Sequence, residues 1–525
     1  MPLSERRLKT ARFTAAALGL LLAGFLWAPS DSVEVSQEEE LQLRNVVLPV
    51  QDPARNEPHV GLTGRVRRVI RNSISSAVDS GMKQGSAHIS FVLKELGVDG
   101  ALVDIDGAQS LRPASNLKLA TTAAALTLLG AAASFETHFD STFEPSGGVL
   151  AGDLVVRAGA DPLYMDGTEG RVDELLRPWI ESLLESGVRE VKGDLVLDLG
   201  AFPEPSATPG WPSSDQHWND YCALSSGFSV NGGCVTVKVQ AGRSGAPAKV
   251  TVSPACYGTT LDLNVSTSPK RSALTVSAVV SRDRVRVRGN LPADVPFFIK
   301  RFAHPDPVDH FAGVLWHELA ERGVLVHGSI RHARGVIAPV RLASMKSDVI
   351  ETLAPINTHS NNAVADQLFL KLGFEVTGDG GRAGGEKAVL TALERLGVDS
   401  AGWRQLEGSG LSRSNRVSAT QLVMLLDAVL SAPGPVSTLY AQSLAVAGES
   451  GTLSERMLGG AAEGEVLAKT GFIGGTSALS GLARGRSGRV YIFSVLVNYP
   501  KAGGLNRNVW KPMQDSICEL IVRYG

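Results

Sequence analysis

The sequence predicts a mixed α/β (α+β) chain with more than one domain. Its 525 residues exceed what one ordinary hydrophobic core holds. Apolar stretches with helical spacing occur in both halves, whereas short alternating runs typical of strands dominate between Val235 and Arg288. Two similar segments, 150–156 and 191–197, each read as a turn feeding a strand, and 307–323 has a helical pattern.

The N-terminal segment predicts export. Residues 1–12 carry four basic side chains, and an uncharged run from Phe13 to Trp27 follows. This run is short for a membrane span, so residues 1–30 are interpreted as a signal peptide. Because no clean A-x-A cleavage site occurs, an uncleaved N-terminal anchor stays an alternative, and membrane contact is expected only through this segment. Residues 31–60 are acidic and weakly periodic, as in a linker.

Ser115-Asn116-Leu117-Lys118 follows Pro113 and opens an otherwise uncharged stretch that ends at Gly130. Pro before and Gly after a segment are helix start and stop signals. Residues three apart share a helix face, so the Lys118 amine is expected near the Ser115 hydroxyl. A buried lysine in its neutral form can activate a serine nucleophile. A core helix with a capping serine is the structural alternative.

Ser360-Asn361-Asn362 separates two apolar segments and predicts a turn between two helices. In an acyl-transfer site, Ser360 would relay a proton, and Asn362 would hydrogen bond to the substrate amide and to Lys118. A polar helix cap explains the string equally well in isolation.

Lys469-Thr470-Gly471 precedes two strand-like runs, 477–483 and 489–497, that form a hairpin pattern. A neighbouring strand would present Lys469 and Thr470 to a cleft, and Gly471 would let a peptide approach its backbone closely. A surface strand with a solvated lysine is the alternative.

Composition narrows the remaining function classes. The chain has 51 Lys and Arg against 53 Asp and Glu, and no basic stripe predicts nucleic-acid binding. No P-loop, dinucleotide fingerprint or zinc spacing occurs, so we expect neither a cofactor nor a metal. His304, His310 and His317 are interpreted as helix-face or cap residues. Of the four cysteines, Cys222 and Cys234 are candidates for a disulfide, and Cys518 for a buried thiol.

The first two strings each arise by chance about once or twice in a chain of this length. Together and in this order, however, they match the S-x-x-K, S-x-N and K-T-G elements of penicillin-binding proteins and serine β-lactamases. The chain resembles the class C low-molecular-mass penicillin-binding proteins, the D-alanyl-D-alanine carboxypeptidase/endopeptidase family. The resemblance also rests on 112–115, 159–162, Asp198 and 407–413. Serine β-lactamases have a much shorter interval between the first two strings.

The resemblance implies a penicillin-binding transpeptidase-like domain, an antiparallel sheet flanked by helices, with two inserted mainly-β domains. The expected divisions are a catalytic domain (61–138 and 345–525), an inserted domain II (139–235 and 296–344) and an inserted β domain III (236–295). The implied partners are peptidoglycan stem peptides and β-lactam antibiotics, in the periplasm or cell envelope. A non-catalytic cell-wall-binding scaffold and a serine β-lactamase stay as alternatives.

The resemblance also implies a role for each site residue. Ser115 is the nucleophile and Lys118 the base, while Ser360 and Asn362 shuttle protons and hold the substrate. Lys469 with Thr470 binds the terminal carboxylate of the substrate, and Gly471 lets the peptide approach closely. Backbone N–H groups of Ser115 and Phe472 would form the oxyanion hole. Asp161 would read the third substrate residue, or have only a turn role.

Three positions depart from the family pattern. Phe472 replaces a residue that is often Ser or Thr, Glu407 stands where Asp is usual, and Ala160 interrupts a G-G-D-P segment. These departures bear more on substrate preference than on catalysis.

Overall fold

The computed structural model describes residues 61–162, 172–501 and 503–525. The predicted signal peptide or anchor (1–30) and linker (31–60) lie outside the described residues. Within the described ranges, no helix combines the length and the apolar character needed to cross a bilayer.

The helices are numbered in chain order. They are α1 (Leu62–Asp79), α2 (Lys118–Leu128), α3 (Val172–Glu185), α4 (Pro307–Glu321), α5 (Leu353–Asn357), α6 (Asn362–Thr377), α7 (Arg382–Arg395), α8 (Ala419–Leu430), α9 (Pro435–Gln442) and α10 (Lys511–Tyr524).

The strands are numbered in the same way. They are β1 (His88–Glu95), β2 (Val103–Ile105), β3 (Ser134–Ser141), β4 (Val149–Leu150), β5 (Leu154–Arg157), β6 (Glu190–Val191), β7 (Leu195–Asp198), β8 (Cys234–Gln240), β9 (Lys249–Ser253), β10 (Thr260–Ser268), β11 (Ser277–Val280), β12 (Arg284–Pro292), β13 (Phe297–Ala303), β14 (Leu325–Val326), β15 (Ile330–Ala333), β16 (Val340–Asp348), β17 (Ala445–Val446), β18 (Val466–Ile473), β19 (Thr476–Arg484) and β20 (Val490–Asn498).

Both ends of the described chain build one antiparallel sheet of six strands, in the order β17-β18-β19-β20-β1-β2. Strand β20 is buried along its whole length because helices cover both faces of the sheet. Helices α1 and α10 pack on one face, where Trp510 and Ile517 meet Phe493. Helix α8 packs against β20 and β1 on the other face. Burial on both faces explains why β20 reads as a continuous apolar run instead of an alternating one.

The segment between α2 and α5 forms the remaining sheets. A five-stranded sheet has the order β15-β7-β5-β3-β16, and a three-stranded parallel sheet has the order β14-β6-β4. Helices α3 and α4 pack together over the shared apolar core, which contains Trp179 and Phe311. Strands β3 and β16 run across two of the predicted domain boundaries, and the boundaries themselves stay predictions.

The repeated Gly-Asp-Leu segments have a physical explanation. Strands β5 and β7 pair in parallel with Leu154 opposite Leu195, so the two preceding turns lie side by side. One guanidinium, that of Arg331, reaches Asp153 at 2.8 Å and Asp194 at 3.0 Å. The repeated segments are therefore two adjacent turns, one before each strand, whose aspartates bind the same arginine, Arg331.

Residues around 234–303 form two three-stranded sheets, β13-β8-β9 and β10-β12-β11. Inward-facing side chains such as Val237, Val285 and Phe302 form their core. The all-β character predicted for this stretch is confirmed.

The cysteine predictions had mixed outcomes. Cys222 and Cys234 are both free, so the expected disulfide is wrong. The two thiols belong to different apolar clusters: Cys222 packs with Ala114 and Cys234 with Ala303. Burial raises the pKa of each to about 12, which keeps the thiols protonated. Cys518 is confirmed as a buried thiol under the six-stranded sheet.

Candidate active site

Ser115 lies in a 3₁₀ turn, Ala114–Leu117, that leads directly into α2. The predicted helix is confirmed, but its first turn is tighter than an α-helix and the α-helix begins at Lys118. This turn keeps Ser115 and Lys118 on one face, and the distance from Lys118 Nζ to Ser115 Oγ is 3.2 Å.

Lys118 is completely buried, and its amine has three neighbours. Besides Ser115 Oγ, it donates to Asn362 Oδ1 and to the Ser409 carbonyl, both at 2.6 Å. Burial lowers the pKa of Lys118 to about 8, although the charges of Asp366 and Glu407 act in the opposite direction. About a tenth of the amine is therefore neutral at pH 7, far more than for an ordinary lysine, and this form can accept a proton.

The second string forms the predicted turn between two helices, α5 and α6. Ser360 is half-buried and has a left-handed backbone, with φ of 60°. Asn361 caps α6, since its Oδ1 accepts from the Val364 N–H at 3.2 Å. Asn362 instead turns to the pocket, where Nδ2 donates to the Tyr221 carbonyl at 2.9 Å and Oδ1 accepts from Lys118. The cap interpretation therefore applies to Asn361 and the pocket interpretation to Asn362.

The third string lies on β18, next to the β19–β20 hairpin, as predicted. Lys469 is fully buried, and Nζ donates to the Thr470 carbonyl at 3.0 Å. The alternative of a solvated lysine is wrong. Burial, followed by the like charge of Lys118, lowers the pKa of Lys469 well below its ordinary value, so the two amines share one pocket.

Strand β18 passes directly beside the Ser115 turn. A Cβ atom added at Gly471 would lie 2.8 Å from the Pro113 carbonyl oxygen and 3.0 Å from Asn116 Oδ1, so only glycine permits this approach. Asn116 Nδ2 donates to Ser480 Oγ at 2.6 Å and fixes the turn to the sheet. Thr470 Oγ1 bonds to Thr452 Oγ1 at 2.8 Å, and the Phe472 side chain is 59% exposed.

The edge of β18 opposite β19 has no strand partner within the described residues where the third string lies. Among the described strands, β17 pairs only with Leu467 and Ala468. The backbone from Lys469 onward can therefore receive an extended peptide as an added strand.

Asp161 is placed differently from the three strings. It is 2% exposed and follows Ala160, which has a left-handed φ of 55° and donates its N–H to the Gly227 carbonyl at 2.9 Å. A Cβ atom at Gly159 would lie 2.3 Å from the Glu136 carbonyl oxygen. This tight turn is consistent with a structural role, and a role in reading substrate stays a prediction.

Gly410 holds the loop 407–413 against the Ser115 turn. Its φ is +84°, and a Cβ atom would lie 1.9 Å from the Ala114 carbonyl oxygen. We expect Gly410→Ala to destabilise the fold by about 3 kcal/mol, because left-handed strain and overpacking add together. Thermal unfolding and penicillin labelling measure the loss.

Gly488 provides the matched control for this substitution. It has the same φ of +84° but nothing within 4 Å of an added Cβ. Gly488→Ala therefore carries the backbone strain without the clash and is expected to cost about 1 kcal/mol. Equal losses in the two variants would show that the contact with Ala114 is unimportant.

Several pocket groups had no sequence signal. The Tyr221 and Ser409 carbonyls act through the backbone, which any residue supplies. Asp366 did carry a signal, because it is an isolated acid within the apolar run of α6. In the sequence, Glu407 stands out only as a departure from a family pattern.

A sequence model of the D-Ala-D-Ala carboxypeptidase 3 (S13) family matches residues 72–519, most of the chain. The chain belongs to this family. A D-alanyl-D-alanine carboxypeptidase from Actinomadura sp. (strain R39) is 34% identical over 475 residues, which are 87% of this chain and 85% of that protein. D-alanyl-D-alanine carboxypeptidase DacB from Haemophilus influenzae is 25% identical over 81% of this chain and 88% of the relative.

Solved structures support the fold of this S13 family member. The crystal structure of penicillin binding protein 4 (dacB) from Haemophilus influenzae superposes with a TM-score of 0.71. It is 23% identical and covers 85% of this chain and 97% of its own. The same protein complexed with a β-lactam gives a TM-score of 0.67. The predicted family and the penicillin-binding transpeptidase-like fold are confirmed.

Proposed function

We propose that this S13 peptidase is a serine-type D-alanyl-D-alanine carboxypeptidase and/or endopeptidase that acts on peptidoglycan stem peptides through an acyl-enzyme on Ser115. The observation that carries the proposal is the buried Lys118 amine, which lies 3.2 Å from Ser115 Oγ and 2.6 Å from Asn362 Oδ1. A nucleophile, a base with a lowered pKa and an orienting amide form one hydrogen-bonded set.

Acylation begins when Ser115 Oγ attacks the carbonyl carbon between two terminal D-alanines. The hydroxyl proton passes to neutral Lys118, which becomes an ammonium. The oxyanion forms between the backbone N–H groups of Ser115 and Phe472. Collapse of this intermediate breaks the C–N bond, and the proton held by Lys118 passes through Ser360 to the departing amine, which leaves Lys118 neutral again. Water then gives a proton to Lys118 as it attacks the ester carbonyl, and that proton returns to Ser115 Oγ when the ester C–O bond breaks.

The substrate end is held by β18. An extended peptide adds to the edge of this strand from Lys469 onward, while Gly471 lets the Ser115 turn approach the same strand closely. Lys469 and Thr470 receive the terminal carboxylate. The anion favours the ammonium form of Lys469, which offsets the burial that lowers its pKa in the free enzyme.

The proposed location is the cell envelope, where stem peptides are found. The charged segment 1–12 and the uncharged run after it favour export, and the segment provides the membrane contact if it is not cleaved.

Purified muropeptides provide the direct test. We expect pentapeptide stems to lose one terminal alanine, and D,D-cross-linked dimers to yield monomers, with products identified by mass spectrometry. A fluorescent penicillin should label the same protein covalently. Absence of labelling on folded wild-type protein would contradict the proposal, and binding of muropeptides without products would favour a scaffold. Rapid turnover of the penicillin itself would favour a β-lactamase.

A further inference from the structure

Two buried carboxylates lie behind Lys118, outside the reacting groups. Asp366 on α6 is 5% exposed and Glu407 in the following loop is 3% exposed. Both line a cavity of about 130 Å³ together with Arg382, Trp211 and Thr208. Burying two acids beside a catalytic amine costs free energy unless they are hydrogen-bonded or share a function with it.

The Glu407 carboxylate accepts four hydrogen bonds, three of them from the loop that follows it and one from Trp211. Its Oε1 accepts from the Gly410 N–H at 3.0 Å and from Asn415 Nδ2 at 2.6 Å. Its Oε2 accepts from Trp211 Nε1 at 2.7 Å and from the Ser412 N–H at 2.9 Å. Burial raises the pKa of Glu407, whereas the hydrogen bonds from Asn415, Trp211 and Ser412 act in the opposite direction. Both carboxylate oxygens are therefore occupied by donors of the loop and of Trp211.

Asp366 is connected to Lys118 through the backbone of one residue, Ser409. Its Oδ1 accepts from the Ser409 N–H at 2.7 Å, while the Ser409 carbonyl accepts from Lys118 Nζ at 2.6 Å. The acid therefore orients the residue whose carbonyl holds the base. The two groups also interact by charge. The Asp366 carboxylate raises the pKa of Lys118, and the Lys118 ammonium lowers the pKa of Asp366.

We infer that Asp366 and Glu407 are positioning residues for acylation: Glu407 fixes the loop 408–412, and Asp366 orients the Ser409 peptide and balances the charge of the Lys118 ammonium. The inference rests on the proposed function, since it assumes that Lys118 is the base. Burial and the nearby Glu407 raise the pKa of Asp366 to about 8, so this acid ionises over the same pH range in which Lys118 loses its proton. An ionised Asp366 favours the ammonium form of Lys118.

The charged and titratable groups around this pair come from several elements. Lys118 of α2 faces the two carboxylates. Lys469 of β18 lies beyond Lys118 and interacts with it by charge. The cavity wall adds Arg382 from α7 and Glu204 from the inserted segment, while Glu386 of α7 accepts from the Gln405 N–H near Glu407. Arg382 is held in place by Thr208 Oγ1 at 3.1 Å and Ser206 Oγ at 3.0 Å.

The test is the pH profile of acylation by a fluorescent penicillin. In the wild type, the rate rises as Lys118 loses its proton. Asp366→Asn keeps an oxygen for the Ser409 N–H but removes the negative charge, so Lys118 gives up its proton more readily. We call this rise of the acylation rate with pH the acid limb of the profile. In Asp366→Asn we expect the acid limb to move to lower pH by about one unit. The maximal rate should fall modestly, because Lys118 is then a weaker base.

Two further variants complete the design. Asp366→Glu restores the charge, with the adjacent cavity taking up the added methylene, and should restore the wild-type limb. Asp427→Asn removes an acid whose partners are Lys94 and the Gly97 N–H, and it should leave the limb unchanged. A lower rate at every pH in Asp366→Asn, without movement of the limb, would overturn the inference and leave Asp366 a structural residue.

A second measurement keeps the inference testable even when Asp366→Asn does not fold. The wild-type infrared spectrum should contain the C=O stretch of a buried protonated carboxyl at neutral pH, which disappears as the pH rises through about 8. A carboxyl band that is lost over a different pH range from the rise in acylation rate would overturn the inference, because Asp366 and Lys118 would then titrate independently. Covalent labelling of the wild type at Ser115 tests the proposed function separately, so the two failures are distinguishable.

Discussion

Ser115→Ala should form no covalent adduct with penicillin, whereas the wild type should carry one adduct per chain. The substitution removes the only oxygen proposed to bond to the carbonyl carbon, and losing a serine nucleophile lowers turnover by about 10⁶-fold in comparable enzymes. Intact-protein mass spectrometry measures the adduct directly. Folding should persist, because the hydroxyl is half-buried and makes a single hydrogen bond, with Lys118, worth about 1 kcal/mol.

Ser360→Ala separates the two serines of the site. This variant keeps the nucleophile and removes the proposed proton relay, so the adduct should still form, but more slowly. An adduct on Ser115→Ala that is absent from Ser360→Ala would assign the nucleophile to Ser360 and contradict the proposed mechanism.

Local sequence patterns were sufficient to predict those parts of the site whose residues lie close together in the sequence. The three-residue separation of Ser115 and Lys118 specifies a shared helix face, and the structure gives 3.2 Å between their reactive atoms. Likewise, the runs after Gly471 specify a hairpin because turn residues separate two stretches of strand formers. In both cases the relevant contacts lie within one or two turns of the chain.

Burial of Lys469 was not predictable from its own strand. The pattern of β18 does not alternate cleanly, since apolar neighbours cover both faces of the sheet. The Ser115 turn, which lies hundreds of positions earlier in the chain, packs on β18 beside Gly471. A long-range packing partner of this kind leaves no trace in local periodicity.

The walls of the site were equally hidden. Tyr221 contributes to the site through its backbone carbonyl oxygen, which accepts a hydrogen bond from Asn362, and every residue type has that group.

The predicted disulfide between the two cysteines was wrong for a related reason. A short separation between Cys222 and Cys234 permits a bridge, but their side chains pack into separate apolar clusters. Sequence separation alone does not specify the direction of a side chain.

Lys118→Met should lower the rate of penicillin acylation by about 10² to 10⁴-fold, the usual contribution of a general base. Methionine keeps most of the aliphatic length but removes the amine, so the Ser115 proton loses its acceptor. Asn362 Oδ1 and the Ser409 carbonyl also lose a donor, at about 1–3 kcal/mol for each acceptor left unpaired. The acylation rate and the unfolding midpoint are measured together.

Lys371→Met is the matched control for loss of a buried amine. Lys371 lies on α6 and pairs with Glu375 at 2.6 Å, so this variant should lose stability and acylate at the wild-type rate. The pH profile makes the comparison decisive. If Lys118 is the base, the residual activity of Lys118→Met loses the rise near pH 8 that its titration produces in the wild type. A profile that keeps this rise would show that another group accepts the Ser115 proton. The effect of Asp366 on the pKa of Lys118 would then have no part in acylation.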